Sequence, residues 1–114
     1  MTTVHTLASG SSGNAAVLSC GDTHLLIDAG ISCRRITTAL KELGLAPVEL
    51  TAILVTHTHS DHISGLNTLL KKTDCPILAT PRTCRELDCR FPGIEPRLME
   101  AEGAVTLGEV DIQP

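Results

Sequence analysis

The chain has 114 residues, 42% hydrophobic and 19% charged, so it holds one small domain or part of a larger one and has the composition of a folded segment, not a disordered one. Aromatic residues amount to 1%, Phe91 alone, which excludes base stacking on an aromatic platform as a binding mode. The formal net charge is -4, and because basic and acidic residues balance up to position 94, the excess falls where Arg97 stands among Glu95, Glu100, Glu102, Glu109 and Asp111; no strongly basic surface is announced.

Val4 to Leu7 reads as a short strand, followed by the loop Ala8-Ser9-Gly10-Ser11-Ser12-Gly13-Asn14. Ala15 to Cys20 and His24 to Asp28 are apolar runs separated by Gly21-Asp22-Thr23, which predicts a hairpin of largely buried strands. From Ser32 the period changes. Cys33, Ile36, Leu40 and Leu43 recur at three- and four-residue steps between a capping Ser32 and a terminating Gly44, the pattern of an amphipathic helix. Thr51 to Val55 never alternates with polar residues and predicts a central strand buried on both faces.

A second helix is expected from Asp61 or His62 to Lys72, with Ile63, Leu66, Leu69 and Leu70 on one side and cationic Lys71 and Lys72 at its C-terminus. Pro76 to Ala79 reads as a strand, and Thr80-Pro81 opens a third helix through Glu86 or Leu87. Arg97 to Met99, Ala104 to Leu107 and Glu109 to Ile112 read as short strands. The alternation predicts an α/β fold with parallel strands, and the strand-like pattern running up to Pro114 leads to the expectation that the domain continues beyond it. Lys71, Lys72, Arg82 and Arg85 read as a solvated polar face.

Cys20, Cys33, Cys75, Cys84 and Cys89 are odd in number and contain no C-x-x-C pair, which points to free thiols in a reducing compartment instead of a disulfide framework or zinc ribbon. No Lys or Arg precedes Arg34 and the apolar runs reach only about 4 to 6 residues. A cytoplasmic protein without a membrane partner is expected.

The segment carrying chemistry is Thr56-His57-Thr58-His59-Ser60-Asp61-His62, directly after the central strand. A random chain of this composition would show His-x-His-x-Asp-His about 5 times in 10,000, so the signal is specific. His57 and His59, two apart on extended backbone, project to one side and can reach one cation. Asp61 and His62 fall where the chain changes direction and can meet a second cation, as in two-metal hydrolysis. Such groups at the end of a buried strand are costly without a partner, and a divalent cation is the natural one. His5 and His24, isolated on strand-like segments, read as surface or satisfied core residues, and with Cys20 they are the reserve ligands.

This stretch resembles the hallmark of the metallo-β-lactamase fold hydrolases, and Leu25-Leu26-Ile27-Asp28-Ala29-Gly30 is similar to the aspartate-bearing strand end that precedes it in that family. The opening Leu7-Ala8-Ser9-Gly10-Ser11-Ser12-Gly13-Asn14-Ala15 resembles the YycJ (WalJ/VicX) group, regarded as DNA exonucleases or phosphodiesterases. The resemblance implies an αββα sandwich of which residues 1–114 are the N-terminal portion of a single domain. It implies His57 and His59 on a first metal, Asp61 and His62 on a second, and Asp28 as a support beneath the site. The metals would be two divalent ions, Zn2+ first, with Mn2+ or Fe2+ as alternatives.

Hydroxide generated on those metals would attack phosphorus, with Asp61 as the catalytic carboxylate that orients or deprotonates water. Ser9, Ser11, Ser12 and Asn14 form a candidate loop for a substrate phosphate. The expected activity is a phosphodiesterase or 5′ to 3′ exonuclease acting on DNA. The family supplies further ligands to each metal from its C-terminal half, so two alternatives stand beside it. One is an incomplete fragment that acts as an interaction piece and self-associates through an uncovered apolar face, and the other is a hydrolase of another ester or thioester.

Overall fold

A computed structural model describes residues 2–10, 13–56, 63–100, 105–107 and 110–112. Strands β1 (Thr2–Ala8), β2 (Ala15–Cys20) and β3 (Thr23–Ile27) form an antiparallel meander. The pair Cys20 and Thr23 closes the second hairpin, so its loop is Gly21-Asp22 and Thr23 already belongs to β3, one residue earlier than expected. β1 is the exposed edge of the sheet; its sequence Thr-Thr-Val-His-Thr carries no apolar face to bury.

Helix α1 (Cys33–Glu42) follows β3. Ser32 caps it, its hydroxyl accepting from Arg35 N at 3.2 Å, and Cys33, Ile36 and Leu40 are its buried residues. At the other end Gly44 N donates to Lys41 O and Leu45 N to Leu40 O, at 3.0 and 2.8 Å, the paired bonds of a Schellman stop. A 3-10 turn at Pro47–Glu49 leads into β4 (Ala52–Leu54), the predicted central strand, which pairs in parallel with β3 and with β5 (Ile77–Ala79).

Between β4 and β5 the described residues are helical at Ile63 and in α2 (Leu66–Leu69), so the continuous helix the sequence suggests is interrupted at Ser64-Gly65 and ends before Lys72. Gly65 N donates to Ala29 O at 2.7 Å, which diverts that amide from a helical ladder, while turns carry the chain on to Lys72. The expected start at Asp61 or His62 lies outside the described residues.

Helix α3 (Pro81–Arg90) begins at Pro81 under Thr80 as expected but runs past Leu87, because Phe91 N still bonds Leu87 O at 2.8 Å and the chain first breaks at Pro92-Gly93. β6 (Leu98–Glu100) joins β5 in parallel, and β7 (Val105–Leu107) pairs antiparallel with β8 (Val110–Ile112) in a separate sheet. Arg97 stands just before β6, at the end of a 3-10 turn from Glu95, and not in the strand predicted from it.

The six strands lie in chain order from β1 to β6. Three successive parallel crossovers step the same way, and with the right-handed connection that is the rule for such units they set α1, α2 and α3 on one face, where their buried side chains share one core. Val17, Leu26, Ile36, Leu40, Ile53, Leu66, Leu69, Ile77 and Leu87 are fully buried and form the core between sheet and helices, each stabilising the fold by about 1.5–3 kcal/mol relative to exposure. Leu25, Ala52 and Leu78 alternate onto the opposite face and are buried too, as strands covered on both sides require.

All five cysteines are free; Cys33, Cys75 and Cys84 are buried, Cys20 is half-buried and Cys89 exposed. Burial pushes the Cys75 and Cys84 thiols above their ordinary value, with the Glu100 carboxylate adding to the effect at Cys84. Large exposed hydrophobics among the described residues are Val4, Val48 and Met99, on three separate elements, so the expected self-association gains no support from a contiguous apolar patch. No helix among the described residues is long and apolar enough to cross a membrane.

Candidate functional site

In a parallel sheet the carboxyl ends of the strands are where connecting loops can gather functional groups. β3 ends at Ile27 and β4 at Leu54, side by side, and the chain leaving β4 runs through buried Val55, whose N bonds Leu78 O at 3.0 Å, to Thr56. His57 is the next residue.

Asp28 closes β3. Its backbone turns into the left-handed region at φ 63°, its N donates to Leu54 O at 2.7 Å, and its side chain is buried at 5% exposure. Both carboxylate oxygens accept from Thr56: Oδ1 from the backbone N at 2.8 Å and Oδ2 from the hydroxyl Oγ1 at 2.7 Å. Hydrogen bonds to an ionised acceptor are short and strong, and two on one residue fix its position together with its rotamer. A left-handed non-glycine costs on the order of 1 kcal/mol and persists only where the surroundings impose it. Here it aims the carboxylate across the strand gap.

Residues 28–31 are buried as a run and serve as a mooring for three other segments. Asn14 O accepts from Gly30 N at 2.9 Å, Ser64 Oγ donates to Gly30 O at 2.7 Å, and Gly65 N donates to Ala29 O at 2.7 Å. Gly13 and Gly65 are the close approaches: a Cβ on Gly13 would stand 2.6 Å from Gly30 O, and one on Gly65 would run into Ile31 O. Thr56 on one flank of residues 57–62 and Ser64-Gly65 on the other are therefore tied to one four-residue segment.

His57, His59, Asp61 and His62 lie outside the described residues, as do Ser11 and Ser12. Among the described residues there is no group of three or more His, Cys, Asp or Glu placed to hold a metal. Ser9 is exposed, and the Asn14 amide folds back on its own loop, Nδ2 donating to Gly10 O at 2.9 Å and Oδ1 accepting from Gly10 N at 3.2 Å. The reserve ligands stand elsewhere. Cys20 and His24 sit at the hairpin end of β2 and β3, about 13 Å of strand away from Asp28. There His24 Nδ1 pairs with Ser19 Oγ at 2.8 Å, and exposed His5 lies midway along the edge strand β1, opposite Val17.

Thr56, Ser64 and Gly65 are the contributors that the sequence reading leaves without a role. The available signal was a hydroxyl at the strand exit next to a motif whose supporting aspartate was already suspected. For Ser64 and Gly65 no local signal exists, since their partners are backbone atoms 34 to 36 positions earlier in the chain.

Three comparisons bear on this arrangement. The chain is 37% identical over 112 residues to Exodeoxyribonuclease WalJ of Streptococcus pneumoniae serotype 2, covering 94% of this chain and 42% of that protein. It is 34% identical over 110 residues to Exodeoxyribonuclease YycJ of Bacillus anthracis, again with 94% and 42% covered, so it spans less than half the length of these relatives. BJP-1, a subclass B3 metallo-beta-lactamase of Bradyrhizobium japonicum, superposes with a TM-score of 0.80 at 21% identity over 99% of this chain and 48% of that one, a likeness of fold. Since residues 8–95, which take in the whole mooring and both flanks of the histidine segment, match the metallo-beta-lactamase superfamily, the chain belongs to that family.

Proposed function

We propose that the chain is the N-terminal portion of a single-domain, metal-dependent hydrolase that cleaves phosphodiester bonds in DNA from an end, as a cytoplasmic exonuclease. One observation carries the reading: Asp28 holds Thr56 by two hydrogen bonds of 2.7 and 2.8 Å at the mouth of β4, so the strand hands His57-x-His59-x-Asp61-His62 over from a fixed point. The relatives' printed names, Exodeoxyribonuclease WalJ and YycJ, support the substrate class.

The superfamily's fold implies use of a divalent metal. Two imidazoles on alternate residues followed by an adjacent carboxylate and imidazole are a donor set suited to such an ion, and the buried clamp beside them is the kind of outer support that ligand-bearing segments need. His57 and His59 would hold one cation and Asp61 and His62 another, zinc by ligand type, with manganese or iron served by the same donors. When bound, such a pair supplies a water of lowered pKa and offsets charge on phosphoryl oxygens.

The chain's own residues do the rest. Asp28 and Thr56 set the origin of the ligand segment, Ser64 and Gly65 set its end, and Asp61 orients the attacking water and takes its proton. Exposed Ser9, with Ser11 and Ser12, offers hydroxyls to a phosphate, while Asn14 shapes that loop through Gly10. The test is the complete protein assayed with and without chelator on single-stranded DNA and on a simple phosphodiester. Chelator-sensitive cleavage of both is expected; failure on both with metal bound overturns the reading.

A further inference from the structure

β1 runs in the same direction as β3, since each is antiparallel to β2, so Leu7 and Ala8 come to the same end of the sheet as Asp28 and the exit of β4. α1 leaves that end and travels back toward the start of β4. Between the end of β1 and the flank of α1 lies a groove of about 340 Å³ lined by Leu7, Ile31, Arg34, Arg35, Thr38 and Glu42. Its charges are ordered along its length. Arg34 and Arg35, in the first turn of α1, stand at the end of the sheet where Asp28 meets Thr56, and Glu42, in the last turn, at the far end.

Both arginines are exposed, and among the described residues neither guanidinium has an ion pair. Arg82 on α3, by contrast, pairs with Glu86 at 3.5 Å. Ile31 belongs to the mooring that also holds Ser64 and Gly65, so the groove opens off the same segment that ties down both flanks of residues 57–62. It also lies on the helix-covered side of the sheet, which is an outer layer in an αββα sandwich.

We propose that this groove holds the phosphate backbone of a single nucleic-acid strand leading to the reactive centre, with Arg34 and Arg35 on consecutive phosphates and Glu42 marking where the track ends. The inference rests on the nuclease reading above. Phosphate contacts by guanidinium position a strand without reading its sequence, which suits a chain whose only aromatic is Phe91.

The experiment uses the complete protein and the double variant Arg34→Gln/Arg35→Gln, with Arg82→Gln/Arg85→Gln on α3 as control. Affinity for a single-stranded oligonucleotide is measured against salt, and hydrolysis of bis(p-nitrophenyl) phosphate is followed in parallel. Losing two phosphate contacts is expected to weaken oligonucleotide binding about tenfold and to flatten the logarithmic salt slope by about 1.4. The small diester should be hydrolysed at the parental rate, and the α3 control should match the parent throughout. An unchanged affinity and slope overturns the groove while leaving the nuclease reading intact, and so does an equal loss on both substrates. A parent that hydrolyses the small diester but neither binds nor cleaves the oligonucleotide overturns the nucleic-acid reading itself, and the groove proposal with it.

Discussion

The two ends of the parallel strands are each held by one charged side chain, and the two clamps work differently. At the carboxyl end the Asp28 carboxylate takes, among the described residues, both the N–H and the hydroxyl of Thr56. At the amino end the Arg97 guanidinium spreads over a loop, donating to Leu70 O at 2.7 Å, Thr73 O at 2.6 Å and Cys75 O at 3.0 Å. The first fixes a point; the second fixes a path. Orienting the first residue of a segment proposed to bear metal ligands demands the former, whereas bringing a chain from α2 to the start of β5 asks only that its carbonyls be satisfied once buried.

That contrast can be broken most directly at Asp28. Asp28→Ala removes the two carboxylate oxygens that accept from Thr56 and is expected to lower metal affinity of the complete protein by about 10- to 100-fold, with parallel loss of hydrolysis, as read by metal titration calorimetry and activity. Arg97→Ala is expected to do the reverse. Three carbonyls lose a charged donor, so stability falls by about 2–3 kcal/mol in denaturant unfolding while metal affinity stays at the parental value. If Arg97→Ala weakened metal binding as strongly as Asp28→Ala, the two ends would not be separable.

Smaller changes sharpen the same contrast. Thr56→Val keeps the backbone N–H on Oδ1 but leaves Oδ2 without its hydroxyl donor, and Ser64→Ala removes the bond to Gly30 O. Each should cost about 1 kcal/mol of stability, and their combination should reduce metal affinity by more than the sum if the two flanks hold one segment cooperatively. The smallest effect concerns the thiols. Burial raises Cys75 and Cys84 above the ordinary value of 9.0, so the unfolded chain ionises first; their contribution is intact below that value and is lost as pH rises through the raised folded value. A stability profile of the Cys75→Ala/Cys84→Ala variant that falls above pH ~9 as steeply as the parent's would assign the loss to other groups.

Much of the sheet was legible because its signals are local. The buried run through Ile53, the Ser32 and Thr80 caps and the Gly44 stop each depend on neighbours within a few positions, and each is where the sequence reading puts it. Asp28 was legible as a strand-end carboxylate, though not its grip on Thr56. Arg97 reads from sequence as the start of a strand, and its clamp is hidden because its partners are main-chain carbonyls that carry no sequence signature. The interruption before α2 is illegible for a related reason: Gly65 owes its role to Ala29 and Ile31, far back in the chain.

The four-residue mooring at 28–31 separates what must stay constant from what is free to vary. Segments that reach it make their tight contacts at Gly13, Asn14, Ser64 and Gly65, so what it fixes is those positions and not the lengths of the spans between them. Doubling the length of one of those spans costs only about 0.6 kcal/mol in closure entropy. A lineage could therefore lengthen the serine-bearing loop and acquire new specificity without disturbing the stage on which the chemistry is set.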